Sequence, residues 1–251
     1  MNIEFVFSEF GTRMTANQPD SFTDEYRLDP TYSSVKQFFP EAKLTMYTDN
    51  RDLGKNYDDV EIRLVDIESS PFDKSNHRWG WHACDYYQVK GLLDSKADIA
   101  ISVDSDVMFV NDEVKTILPI TERFGICVPQ NERQMVKVDG IHTRGNDGDF
   151  HIEESSNRGN ILTYDLWWMS FDTKNTRSRK WLSEFGRLMV SNPRRATLQM
   201  SRAAWNTGIH PYAMPIQWGV GHGHVGCGNE IILHLGHQRV REYYLEGKNV
   251  S

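Results

Sequence analysis

Residues 97–112, ADIAISVDSDVMFVND, decide how the rest of the chain is read. Their first part, residues 99–103 (IAISV), is a short apolar run with one small polar interruption, the pattern of a strand buried on both faces of a parallel or mixed sheet. The run ends in Asp104 and Asp106. Side chains two apart in an extended chain project from one face, so both carboxylates are expected to point into whatever crevice opens at the strand's carboxyl end. Residues 107–110 then resume the apolar run. Acids set between apolar segments are costly to bury alone, and a divalent cation is a common compensation. The plainer alternative is a solvated strand-end turn that happens to hold Asp-Ser-Asp.

Working outward, the bulk properties bound what such a site can belong to. A chain of 251 residues suits one large α/β domain, and 39% hydrophobic with 12% aromatic residues is enough for a true core. The formal charge of −7 argues against non-specific nucleic-acid binding as the main activity. A basic stretch containing Arg177, Arg179, Lys180, Arg187, Arg194, Arg195 and Arg202 alternates with apolar residues and reads as a solvated helix face. The cysteines, Cys84, Cys127 and Cys227, are odd in number and far apart, which gives neither a disulfide framework nor a zinc spacing. With no basic leader at the amino terminus and no apolar run long enough to span a bilayer, a soluble, cytoplasmic protein is expected.

Before the acidic stretch, residues 3–7 (IEFVF) read as the first strand, residues 32–39 as a helix ended by Pro40, and residues 42–47 (AKLTMY) as the second strand. Thr48, Asp49 and Asn50 form the polar loop after it. In an open α/β sheet such a loop borders the crevice, where a nucleotide base and ribose would meet an aspartate, although an ordinary Asx-type turn accounts for it equally well. Residues 60–65 (VEIRLV) alternate like a strand, and residues 79–93 carry helical spacing into the acidic strand. Asp85, Gln88 and Lys90 on that helix would lie near the crevice if its carboxyl end points away from the acids.

Beyond it, residues 124–128 (FGICV) read as a buried strand. Residues 131–160 are polar and aperiodic, as functional loops often are. Asp147-Gly148-Asp149 within them lacks the later ligands of a calcium-binding EF-hand. Residues 161–171 (ILTYDLWWMSF) are an aromatic strand or strand pair, residues 176–189 a basic amphipathic helix, and residues 199–206 a helical turn. His222 and His224, in GVGHGHVG, suit either metal ligation or a glycine-rich backbone-approach loop. Residues 231–233 lead straight into His234-Leu235-Gly236-His237, and residues 238–244 form a terminal tail.

These features together, a strand ending in Thr-Asp-Asn, an apolar strand ending in Asp-Ser-Asp and a late Ile-Ile-Leu-His-Leu-Gly-His, resemble the GT-A glycosyltransferases, in particular glycosyltransferase families 8 and 32. The resemblance implies one GT-A, Rossmann-like α/β domain over residues 1–251, with a mixed central sheet flanked by helices. Residues 1–130 would be the nucleotide-sugar half and residues 131–251 the acceptor half. It implies Mn²⁺, or Mg²⁺ in its place, on Asp104, Asp106 and His234. Gly236 stands one residue earlier than the family 8 pattern puts it, so His237 is the other candidate for the imidazole ligand.

Phe7, Thr48, Asp49, Asn50, Asp85, Lys90 and Ser105 are the implied nucleotide-sugar contacts. Asp85-Tyr86-Tyr87-Gln88 resembles the Asp-x-x-Arg of family 32 with glutamine in place of arginine, and Lys90 would then serve the diphosphate. Arg202 falls in a stretch loosely similar to the Asp-Gln-x-x-Leu-Asn of family 8, which makes it a candidate catalytic residue. The implied reaction moves a sugar from a nucleotide-diphosphate donor, such as a UDP-sugar, to a hydroxyl of a glycan or similar acceptor. Inversion would require a carboxylate base, for which Asp147, Asp149, Glu153 and Asp165 are candidates. Retention, at which the late histidine hints, requires none.

Two other classes compete. A haloacid-dehalogenase-like phosphatase also ends an apolar strand in Asp-x-Asp, but Met108 and the hundred or so residues before the motif fit it poorly. A non-catalytic binding module would use the same acids and histidines for a structural ion or for none. Release of phosphate from simple esters marks the first; indifference to nucleotide sugars marks the second.

Overall fold

The structure, a computed structural model, describes residues 1–10, 28–54, 57–66, 71–72, 79–130, 136–137, 140–141, 164–191, 196–221 and 224–247. Their centre is β1 (Ile3–Glu9), buried along almost its whole length. Parallel partners flank it on both sides: β2 (Lys43–Thr48), followed outward by β3 (Val60–Leu64), and β4 (Ile99–Val103). A strand with neighbours on both edges and helices on both faces has no solvent side, which is why β1 and β4 are mainly apolar and why their polar members, Glu4, Ser8, Glu9 and Ser102, are buried.

Beyond β4 the direction reverses. β9 (Trp168–Asp172) runs antiparallel to β4 and to β6 (Ile126–Pro129), and β6 pairs in parallel with β10 (Tyr212–Met214) at the edge. The seven-stranded order is β10-β6-β9-β4-β1-β2-β3. Two short antiparallel pairs stand apart from it: β5 (Val107–Phe109) with β11 (Ile232–His234), and β7 (Val136–Lys137) with β8 (Gly140–Ile141).

The period of two along β1 sorts the helices between the faces. Phe5 and Phe7 pack with Val35, Phe38 and Phe39 of α1 (Asp29–Phe38) and the residue after it. Val6 faces the other way, onto Trp79, Ala83 and Cys84 of α2 (Trp79–Asp94). On that second face Ala100 of β4 joins a cluster with Trp181, Leu182 and Phe185 of α4 (Thr176–Ser191) and Met200 and Ala203 of α5 (Ala196–Thr207). α6 (Gln238–Tyr244) closes the described chain.

Two helices have no counterpart in the sequence: α6, where residues 238–244 are expected as a tail, and α3 (Ile117–Phe124), which leads into β6. The latter has only eight residues, a proline in its first turn, and a stop at Gly125, whose positive φ of 82° and N–H to the Thr121 carbonyl (2.7 Å) end it abruptly. The expected strand at residues 124–128 therefore begins two residues later. The helical turn expected at residues 199–206 is a twelve-residue helix. No helix among the described residues is long and apolar enough to cross a membrane.

Candidate metal and nucleotide site

Asp104 and Asp106 sit where β4 ends. The chain does not stay extended through them. It turns at Ser105 and Asp106, with the Val107 N–H on the Asp104 carbonyl (3.2 Å), before β5 begins. The shared-face argument from an extended strand is therefore corrected: the acids converge through a turn. That turn is held on both sides. Asp104 N–H donates to the carbonyl of Trp167, prolonging the β4–β9 ladder (2.8 Å), and the Asp106 carbonyl accepts from Leu235 N–H (2.7 Å).

His234 arrives by strand register. In the β5–β11 ladder it stands directly opposite Val107, the residue after Asp106. Its Nε2 lies 3.2 Å from Asp106 Oδ1 and 3.9 Å from Asp104 Oδ2. One donor atom from each of Asp104, Asp106 and His234 falls within 4.8 Å of the others, and both acids are buried. Neither ring nitrogen of His234 has a hydrogen-bond partner, although buried polar atoms are normally satisfied. Two carboxylates and one imidazole form a donor set that suits a divalent cation of intermediate hardness.

Gly236 has a spatial reason to be glycine. A Cβ there would stand 2.7 Å from Asp106 Oδ2 and 3.1 Å from His234 Nε2, so any larger residue would push into the donor atoms. Trp167 forms the wall beside them. Its ring stacks on His234 (centroids 4.4 Å apart, planes at 23°) and is tilted against His237 (5.4 Å). His237 meets His234 edge to face at 4.7 Å, so it lines the same site, with His234 nearer the acids.

Behind the acids lies a polar frame. On β4, Asp104 continues the register of Ala100 and Ser102, which faces α2. There fully buried Gln88 donates from Nε2 to Asp104 Oδ1 (2.6 Å). On the opposite face Ser105 donates from Oγ to the buried carboxylate of Glu9, and the Ser105 carbonyl accepts from Thr31 Oγ1 of α1 (2.7 Å). Ser34 of α1 accepts the Phe109 N–H (3.1 Å), tying the same helix to β5.

The other expected contacts fall in several places. Thr48 is buried at the end of β2, and its Oγ1 accepts from the Asn50 N–H (3.0 Å) in a turn that leaves Asp49 and Asn50 exposed. Asp85 lies one turn before Gln88 on α2, on the same side of the helix, and is half-buried. Arg202 is on α5 and half-buried, and Asp165, just ahead of β9, accepts on Oδ1 from the Leu166 N–H.

Three side chains are placed differently from expectation. Ser105 is fully buried and turned onto Glu9; Phe7 lies wholly in the core. Lys90, two residues past Gln88 and so on roughly the opposite side of the helix, pairs with Asp94 (2.6 Å). Asp147, Asp149, Glu153 and His222 lie outside the described residues, and His224 is exposed at a positive φ of 57°.

Trp167, Glu9 and Thr31 are supporting residues that the motifs left out, whereas Gln88 is expected near the crevice without a partner named for it. Glu9 carried a usable signal: it continues the register of Phe5 and Phe7, so a carboxylate occupies a core-facing position. Trp167 lay inside the aromatic run without anything to mark it from Trp168.

No protein-family model matches the sequence, and no curated protein is similar enough in sequence to place it in a family. Solved structures are similar in shape. Mouse xyloside xylosyltransferase 1, in its apo form, superposes over 93% of this chain and 96% of its own, with a TM-score of 0.54 and 11% identity. The galactosyltransferase LgtC, in complex with donor and acceptor sugar analogs, superposes over 93% of this chain and 86% of its own, with a TM-score of 0.51 and 11% identity. The bifunctional glycosyltransferase WbbM aligns with 89% of this chain at a TM-score of 0.49 and 11% identity, and the chain spans only 40% of that protein. At these identities the likeness concerns architecture, and with its mixed seven-stranded sheet between helical layers this chain has the GT-A, Rossmann-like fold of those glycosyltransferases.

Proposed function

We propose that the protein is a metal-dependent glycosyltransferase that moves a sugar from a nucleotide-diphosphate donor, a UDP-sugar in the first instance, to a hydroxyl of a glycan or similar acceptor. One observation carries this reading: Asp104, Asp106 and His234 converge at the carboxyl end of β4 within a GT-A fold. Asp104 and Asp106 would offer carboxylate oxygens and His234 a ring nitrogen to Mn²⁺, or to Mg²⁺ in its place. When bound, the cation supplies positive charge against the diphosphate that leaves with the nucleotide.

The protein groups do the rest. Trp167 shields one face of His234 from water, and Gly236 keeps backbone alone beside the donor atoms. The Thr48–Asn50 turn at the end of β2 borders the crevice where a base and ribose would lie. Asp85 would reach a sugar hydroxyl from α2. Asp147, Asp149 and Arg202 are the candidates for the chemical step, which needs a protein base only if configuration inverts. Residues 1–251 would act as one domain, with the acceptor bound by the carboxyl-terminal half. The free thiols Cys84, Cys127 and Cys227 agree with a reducing, cytoplasmic setting. The phosphatase and binding-module readings are not favoured by this fold.

The test is a panel of nucleotide sugars with and without Mn²⁺, followed by thermal unfolding and by donor hydrolysis. At least one donor should raise the midpoint only when the metal is present, since ligands of the native state stabilise it. A panel in which no nucleotide sugar shifts the midpoint or is hydrolysed would overturn the proposal.

A further inference from the structure

We infer that Gln88 is a positioning residue whose neutral side-chain amide holds Asp104 for a divalent cation. The inference rests on the metal reading of Asp104, Asp106 and His234.

Gln88 lies in the middle of α2 and is 0% exposed. Val89 and Leu92 beside it are packed into the apolar cluster under the sheet. One half of its amide is engaged, with Nε2 donating to Asp104 Oδ1 at 2.6 Å, while Oε1 is buried without a hydrogen-bond partner. A carbonyl oxygen withdrawn from water and given nothing in return lowers stability, and an apolar side chain of similar shape would avoid that cost. Core packing therefore gives no reason for glutamine here. The donation to Asp104 does.

That bond fixes one carboxylate oxygen of Asp104 and thereby orients the other, Oδ2, which lies toward His234 Nε2. Partners behind a metal ligand act in this way on its orientation and basicity. The donor's lack of charge matters as well. A cation at the same position would draw on the carboxylate's charge and compete with a metal for it, whereas an amide orients the group and leaves its charge in place.

Metal affinity and metal-free stability, read separately, distinguish a positioning role from a packing role. Gln88→Met keeps the length and bulk of the side chain but cannot donate. Its metal-free protein loses an unpaired buried oxygen but also the donor to Asp104, so its unfolding midpoint should stay close to the parent's, while Mn²⁺ binding, followed by loss of the free ion's electron paramagnetic resonance signal, weakens about ten- to a hundredfold. The bound-ion spectrum should change as Asp104 loses its fixed orientation. Gln88→Asn, too short to reach, should show the same loss of affinity, and covers the case in which the methionine variant folds poorly. Gln88→Lys should bind Mn²⁺ more weakly than Gln88→Met, because it adds a competing charge.

Unchanged Mn²⁺ affinity in Gln88→Met and Gln88→Asn, with the parent binding, would overturn the inference alone. So would a loss of affinity that merely follows a fall in metal-free stability. A parent protein that binds no Mn²⁺ would overturn the metal reading itself, and the role of Gln88 with it.

Discussion

At the amino-terminal edge of the sheet, the Glu4 carboxylate is 3% exposed and accepts from Ser95 Oγ (2.5 Å) and Thr45 Oγ1 (2.7 Å), with Lys43 Nζ 3.2 Å away. At the carboxyl-terminal edge, Asp104 meets the amide of Gln88, Asp106 faces an imidazole, and both nitrogens of that imidazole lack hydrogen bonds. Burial pushes the Glu4 carboxyl up, yet the bonds from Ser95, Thr45 and Lys43 together outweigh it and hold the group below the usual carboxylate range. A cavity of about 680 Å³ opens beside Glu4, so open space alone does not distinguish a functional site from a structural one. What differs is how the buried polar groups are satisfied. Glu4, on β1, takes donors from β2 and from the residue after α2 and ties these elements together, whereas the cluster at the other edge is completed by donor atoms that point at one another.

The sharpest way to break this contrast is Asp106→Ala. Under the proposed function, glycosyl transfer should fall by about a thousandfold or more, because Asp106 would hold a cation that contributes several kcal/mol to the transition state. The metal-free unfolding midpoint should hold or rise, since one of two close carboxylates has gone. A large drop in that midpoint would place Asp106 in the same class as Glu4. Next comes Gly236→Ala, whose new methyl would collide with Asp106 Oδ2 and His234 Nε2. A displacement of the donor atoms by roughly an ångström should cost about a hundredfold in turnover, and calorimetric titration with Mn²⁺ should show weaker binding.

Glu4→Gln tests the other edge. It should destabilise the fold by about 1–3 kcal/mol near neutrality through a buried carboxylate network left mismatched, with Mn²⁺ affinity unaltered. Because the folded pKa lies below the ordinary value of 4.5, this stabilisation is fully present above that pH and is lost as pH falls through the lowered pKa. Urea melts of parent and variant should therefore converge in acid; a constant gap would mean that packing, and not charge, is responsible. The smallest effect belongs to Thr31→Val, which removes one hydrogen bond to the Ser105 carbonyl and should cost about 1 kcal/mol with a modest change in metal affinity.

Much of the architecture was legible because the buried strands are mainly apolar and the edge strand β3 alternates. Residues 3–7 and 99–103 lie on observed strands, residues 42–47 and 60–65 match β2 and β3 to within one residue, and the helices at residues 79–93 and 176–189 stand almost as expected. The edge was harder. β10 has three residues and a mixed burial pattern, and α3 is too short for its periodicity to register. At the site, residue types in a motif named Asp104, Asp106 and His234, and the structure brings those three together. Contacts set by helix rotation were beyond the motif: Gln88 and Lys90 are neighbours in sequence but point to nearly opposite sides of α2, and only Gln88 meets Asp104. The turn at Ser105 was equally hidden, because a short apolar run on each side of Asp-Ser-Asp looks the same whether the chain passes straight through or folds back.

The pairing of β5 with β11 also bears on when the site comes into being. Val107 and His234 face each other in one ladder although about half the chain lies between them, and closing so long a loop is entropically costly and slow compared with forming local contacts. The donor set therefore depends on a long-range pairing, and it is complete only once residue 234 has joined the ladder. If the triad holds Mn²⁺ as proposed, time-resolved capture of the ion during refolding would time the pairing of β11 with β5.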